Sequence, residues 1–212
     1  MPETPSTPPQ PATPSPAPAA SAPDARRRAL AAPVLLRAAV ALVFGAITVF
    51  WGAPSPIGAA SCLAAFFVGL AVARAWLLRR EGGASAGGSA PTGLSRAVAS
   101  AGYGLAAAVG LGLVAAPTGT VLGIGGAVAF ALTGAADLAT GFRGRGWSPL
   151  ARDELIAGVV HLGTAVLLPF FAGLGPHAVL GVAGGAAIIT GVLLAIAGLS
   201  LRHDSAPTAP VA

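Results

Sequence analysis

Charge is what this chain has least of. Only 9% of its 212 residues are Asp, Glu, Lys or Arg, while 55% are hydrophobic. Soluble globular domains carry about 25% charged residues, so the composition excludes that class and places the chain among membrane proteins. Lysine is absent: the 12 basic residues are all arginine. The net charge of +5 is not the footprint of a nucleic-acid binder. The arginines stand singly or in short groups between apolar runs rather than along one polar face. Cysteine occurs once, as Cys62 inside an apolar run. No intrachain disulfide can form, the redox compartment is not legible, and the residue reads as packing. The side-chain sets of common chemistries are missing as well. His177 and His203 are isolated at run ends, no metal-ligand cluster is spelled out, and no Ser/His/Asp or Cys/His set assembles. Gly110-Leu111-Gly112 lies in apolar sequence without a flanking strand, so it is no dinucleotide fingerprint. No cofactor and no enzymatic activity are expected.

What the chain does have is long apolar runs. There are six: Val34–Trp51, Pro56–Leu78, Ala97–Ala116, Thr118–Phe142, Leu155–Ala172 and His177–Leu201. About twenty apolar residues cross a bilayer core of roughly 30 Å as a helix. The breaks alternate in character. GAPS, the Pro117 region and GLGP are short and punctuated by Pro and Gly, whereas REGGASAGGSAPTGLSR and RGRGWSPLARDE are longer and polar. This alternation predicts an all-α integral membrane protein with six transmembrane helices arranged as three helical hairpins.

The arginines orient it. Arg26, Arg27, Arg28 and Arg37 precede or open the first run, and Arg74, Arg79, Arg80 and Arg96 flank the first long loop. Arg143, Arg145 and Arg152 flank the second, and Arg202 closes the last run. The short turns hold none. By the positive-inside rule both termini and the long loops are cytoplasmic, and Arg37 and Arg74, within apolar ends, are expected to snorkel to the headgroups. Residues 1–30 open with a Pro/Ala/Ser/Thr-rich stretch that buries too little surface to order, so a disordered cytoplasmic tail is predicted there. The six-helix domain then spans 31–202 and a second disordered tail 203–212. Arg26-Arg27-Arg28 before an apolar stretch raises a signal peptide, but Arg37 interrupts that stretch and an uncleaved first helix is the better reading.

The hairpins resemble one another. Gly69, Gly134 and Gly191 each stand eleven residues before an arginine, namely Arg80, Arg145 and Arg202. Pro54, Pro117 and Pro176 mark the preceding turns. A period of roughly 60 residues suggests three copies of a two-helix unit. An Arg opening a run, a Gly two turns in, a Pro-marked turn and a second helix with a central Gly resemble the HdeD-like membrane proteins. RAAVALVFGAITVFWGAPSP and VLGVAGGAAIITGVLLAIAGLSLR carry the likeness, which covers Leu35 to Arg202. The resemblance implies a six-helix bacterial inner-membrane protein linked to acid resistance, and it supplies no catalytic residues.

Small residues at four-residue spacing, Gly58/Cys62, Gly119/Gly123 and Gly181/Gly185, lie on single helix faces and predict close helix packing, within one chain or between copies. Asp137 and His161 are the ionisable residues deepest in the predicted bilayer, and such residues are functional candidates. They flank the RGRGWSPLARDE hinge at similar sequence distance, which sets them at matching depth on antiparallel helices. Two readings stand side by side. Either Asp137 and His161 form a proton-responsive pair, or Asp137 meets Arg37, Arg74 or Arg96 while His161 bonds a neighbouring helix. At the hinge, Ser148 is the expected N-cap and Pro149 the first helical residue, with Asp153 and Glu154 near the positive helix end. The function expected is non-enzymatic, in acid or general stress response; a small transporter or proton-linked channel is the alternative. The partners expected are the lipid bilayer and a second copy or another membrane protein.

Overall fold

The computed structural model describes residues 22–83 and 93–203. They form six α-helices: α1 (Ala22–Phe50), α2 (Pro56–Gly83), α3 (Gly93–Gly112), α4 (Gly119–Gly144), α5 (Ala151–Phe171) and α6 (Pro176–His203), with single 3₁₀ turns at Leu113–Ala115 and Ala172–Leu174. All six are long and apolar enough to cross a membrane, as a multi-pass protein requires.

Each helix packs against its neighbours in the chain, and α6 closes onto α1, so the six form a ring in sequence order. The cross-contacts that remain join α2, α4 and α6 to one another, which puts the even-numbered helices nearest the axis. Contacts run in opposite directions along each neighbouring pair. On α1 and α2, Phe44 stacks on Phe66 at 4.3 Å between ring centroids, and Val40 lies against Gly69. The closest approaches are α1 with α6 and α4 with α5. Glycine explains both. Gly184, Gly191 and Gly198 of α6 meet Thr48, Leu42 and Leu35 of α1, while Gly134 and Gly141 of α4 meet Leu162 and Leu155 of α5. In lipid, where burial of oil against oil supplies little drive, such backbone proximity and the dispersion contacts it allows hold helices together.

The turns follow local chemistry. Thr118 caps α4, its Oγ1 accepting from Val121 N at 3.2 Å. Gly175, at φ +93°, supplies the left-handed turn before Pro176 opens α6, a conformation only glycine adopts without strain. Around the ring, Val43, Phe50, Val72, Val159, Val166, Phe170, Ile189 and Ile196 point outward. An apolar coat of this extent is costly in water and suited to acyl chains.

Two expected boundaries shift. The tail boundary at residue 30 is too late, because α1 begins at Ala22. Leu30 and Ala31 are buried with Leu77, Leu150 and Leu201, and Arg26 sits over the Trp147 ring at 5.6 Å. These contacts hold the start of α1 against the hinge and define one end of the bundle, called here the arginine end. Residues 1–21 and 204–212 lie outside the described residues. Second, α5 begins at Ala151 after an N-cap at Leu150 that makes no side-chain bond. Ser148 accepts weakly from Leu150 N at 3.3 Å, so Ser148 and Pro149 belong to the hinge rather than to the helix start. Of the two packings expected for Gly181 and Gly185, the one within the chain is not made, since both face open space. Gly184, about a quarter turn from Gly185, packs on Thr48. Gly58 backs onto the Trp51 ring, and Gly119 and Gly123 lie against Ala172.

Candidate functional site

The ring encloses a buried ionic centre near the arginine end, to which α1 to α5 all contribute. Asp137 of α4, 0% exposed, is its hub. Arg37 Nη2 donates to Asp137 Oδ2 at 2.6 Å, and the Tyr103 hydroxyl donates to Oδ1 at 2.6 Å. His161 Nδ1 lies 3.2 Å from Oδ2, so a proton on that nitrogen points at the carboxylate. Beside this set, Arg74 Nη1 donates to Glu154 Oε1 in a second buried ion pair. The Tyr103 ring joins the two, with the Arg37 and Arg74 guanidinium carbons 5.2 and 5.8 Å from its centroid. Two arginines face two carboxylates. With His161 neutral this group of five helices' side chains carries no net charge, the condition under which burial is tolerable.

Arg37 and Arg74 therefore do not snorkel. They are 4% and 3% exposed and turn inward, because carboxylates at matching depth offer charge-assisted bonds that a longer reach to headgroups would forgo. Asp137 contacts Arg37 and His161 together, so the expected arginine partner and the histidine contact are both present. Arg96 stands elsewhere, its guanidinium against Gly82. Two members escape the sequence argument. Tyr103 is the only tyrosine of the chain, and a buried hydroxyl that must find a partner is a signal in itself. Glu154 looks like an acidic residue serving a helix start, which hides its pairing across to α2.

The two ends of the centre differ. Toward the short turns it is closed by phenylalanine: Phe130 lies 5.7 Å from His161 between ring centroids, with Phe67 at 5.0 Å and Phe66 at 5.9 Å from Phe130. Beyond these come Leu63, Leu113, Leu122 and Leu168, all buried. The buried hydroxyls open no route past them. Thr48, Thr164 and Thr190 donate to their own helices, to the carbonyls of Gly45, Val160 and Ala186 at 2.7, 2.8 and 2.9 Å. Toward the arginine end Arg74 and Glu154 border a small, shallow cleft whose walls also include Glu81, Ser95, Thr140 and Trp147.

Comparison with known protein families, curated proteins and solved structures finds no match. The chemistry therefore rests on the geometry alone. Among the described residues no three His, Cys, Asp or Glu side chains converge as metal ligands do. The oxygens of Asp137 are already engaged by Arg37, Tyr103 and His161. What the arrangement brings together is a carboxylate and an imidazole in contact, beside two arginines and further buried carboxylates at Glu154 and Glu81.

Proposed function

We propose that this chain is a non-enzymatic, multi-pass protein of a bacterial inner membrane, of the HdeD-like type, with both termini in the cytoplasm and a role in the response to acid or general stress. The observation that carries this reading is the buried centre, in which Asp137 binds Arg37, Tyr103 and His161 together. A protein built only to fill membrane would have no reason to bury two ion pairs and a histidine. Closure by phenylalanine on one side and the use of threonine hydroxyls within their own helices speak for a responsive element rather than a pore. Clustering of arginine at one end supports the cytoplasmic placement of the termini.

The three-hairpin repeat belongs to the same proposal. Mutual contact of α2, α4 and α6 fits a unit used three times, with the even helix innermost. Gly134 and Gly191 each face the next helix around the ring, while Gly69 faces the one before, on Val40. The partners are the lipid bilayer and, on the open Gly181/Gly185 face of α6, a second copy or another membrane protein.

The test is survival of an acid challenge by cells carrying the deletion, complemented with wild-type chain, Asp137→Asn or His161→Phe. Wild type is expected to restore survival and both variants to fail at equal membrane abundance. Restoration by both variants to the wild-type level would remove the centre from the function. Purified protein in liposomes is expected to pass no protons or solutes across a pH step; sustained flux would favour the transporter reading.

A further inference from the structure

We propose that the arginine end is a collar for anionic phospholipid, with two preferred seats on its rim. One lies at Trp76, Arg79 and Arg80 of α2, the other at Phe142, Arg143 and Arg145 where α4 runs into the hinge. The collar requires that the six helices cross a bilayer, and it does not depend on the role in stress.

Charge is one-sided along the bundle. Every helix brings at least one arginine to the same end, whereas residues 51–55, 113–118 and 172–175 at the other hold no Asp, Glu, Lys or Arg. The arginines divide into two sets. Arg37 and Arg74 are taken up by buried carboxylates. Arg79, Arg80, Arg143, Arg145 and Arg202 are exposed, and among the described residues none of them pairs with a carboxylate. The acids of this end do little to offset them. Glu154 belongs to Arg74, Glu81 is buried, and Asp24 and Asp153 are half-buried. A rim with this surplus of positive charge, set in a membrane, is complementary to lipid headgroups of net negative charge.

The two seats add geometry to charge. Val72, Trp76 and Arg80 stand at four-residue steps on α2 and therefore share a face. Val72 is exposed, and the Arg80 guanidinium carbon lies 5.9 Å from the Trp76 ring centroid. On α4, Ala135 and Phe142 stand seven residues apart on an outward stripe, and Arg145 lies over the exposed Phe142 ring at 4.4 Å. Trp147 Nε1 donates to the Arg143 carbonyl at 3.1 Å, which ties the hinge back to α4. Arg143 spends one donor on Ala139 O at 3.3 Å. Each seat thus runs from aliphatic through aromatic to guanidinium, the depth order of acyl chain, glycerol and phosphate in a lipid leaflet. A guanidinium presents five N–H donors in a fork that fits two phosphate oxygens. On α6 the exposed Leu199 and Arg202 repeat the order without an aromatic, so the collar continues there more weakly. Free phosphate has no use for the apolar part of either seat; a molecule with acyl chains does.

The experiment uses the full-length chain in phosphatidylcholine bilayers doped with chain-spin-labelled phosphatidylglycerol or phosphatidylcholine, and reads the fraction of each probe held against the protein. Phosphatidylglycerol is expected to be preferred about fivefold at low salt, the factor that one guanidinium near the phosphates supplies. The preference is expected to fade toward parity in concentrated salt. Arg79→Gln/Arg80→Gln and Arg143→Gln/Arg145→Gln are each expected to lower it, and all four together to bring it near parity, with the helix signal unchanged. Equal retention of the two probes by the wild-type chain, or full preference in the fourfold variant, overturns the proposal. So does displacement of labelled phosphatidylglycerol by inorganic phosphate at matched ionic strength, which would make the seats sites for a free anion. Failure of the acid-survival test with the lipid preference intact would remove the stress role and leave the collar standing; parity between the lipids with survival still dependent on Asp137 would do the reverse.

Discussion

Replacing Asp137 by alanine tests the physical account most directly. The substitution removes the acceptor of two bonds at 2.6 Å and the neighbour of His161. It also leaves the Arg37 guanidinium, 4% exposed, without its anion. Two magnitudes compete. Interhelical hydrogen bonds between uncharged groups in membranes average about 0.6 kcal/mol, so two would cost roughly 1 kcal/mol. Breaking a buried ion pair by deleting one partner costs about 3–5 kcal/mol, because the remaining charge stays desolvated. Burial decides between them, and the larger figure applies. Unfolding of the full chain in mixed micelles, followed by helix signal, is expected to lose about 3–5 kcal/mol for Asp137→Ala. The paired variant Arg37→Met/Asp137→Leu should recover most of that loss, since a well-packed apolar replacement of a buried pair is often neutral. A single-variant loss below about 1 kcal/mol, the scale of an exposed pair, would refute the claim that Asp137 holds a buried cation in place. So would failure of the double variant to recover anything.

Further outcomes follow from the same contacts. Glu154→Ala removes the acceptor of Arg74 Nη1 but leaves Glu81 in the same cleft, so a loss of about 1.5–3 kcal/mol is expected, smaller than for Asp137→Ala in the same assay. Gly191→Ala pushes a methyl against Leu42 Cγ at 2.8 Å and should destabilise by about 1–3 kcal/mol. Gly185→Ala, with nothing within 4 Å, should be neutral or gain up to about 1 kcal/mol from helix propensity; equal effects at the two sites would contradict the α1–α6 interface. Trp147→Ala removes the ring under Arg26 and should weaken the start of α1 by about 0.5–1 kcal/mol, read as faster amide exchange over residues 24–30 with the rest of α1 unchanged.

Much of this protein is written in its linear order. Six apolar runs separated by Pro and Gly are enough to specify six helices, because a backbone in lipid has no option but to bond within its own segment. The turns at Pro117 and Gly175 fall where those residues stand, for steric reasons local to the chain. Even the matching depth of Asp137 and His161 follows from helix rise and two antiparallel neighbours. Partner choice is another matter. Whether Arg37 reaches outward to headgroups or inward to a carboxylate depends on what stands across from it, and Asp137 is a hundred residues away in sequence. Tyr103 and Glu154 join the centre only because the ring sets α2, α3, α4 and α5 side by side. Gly184 packs while Gly185 does not because one faces α1 and the other faces out, a difference of a single residue that apolar sequence on all sides cannot announce. Local rules decide where a helix begins and ends; which of its faces meets which neighbour is set by the closing of α6 on α1, and the buried charges pair where that closure puts them.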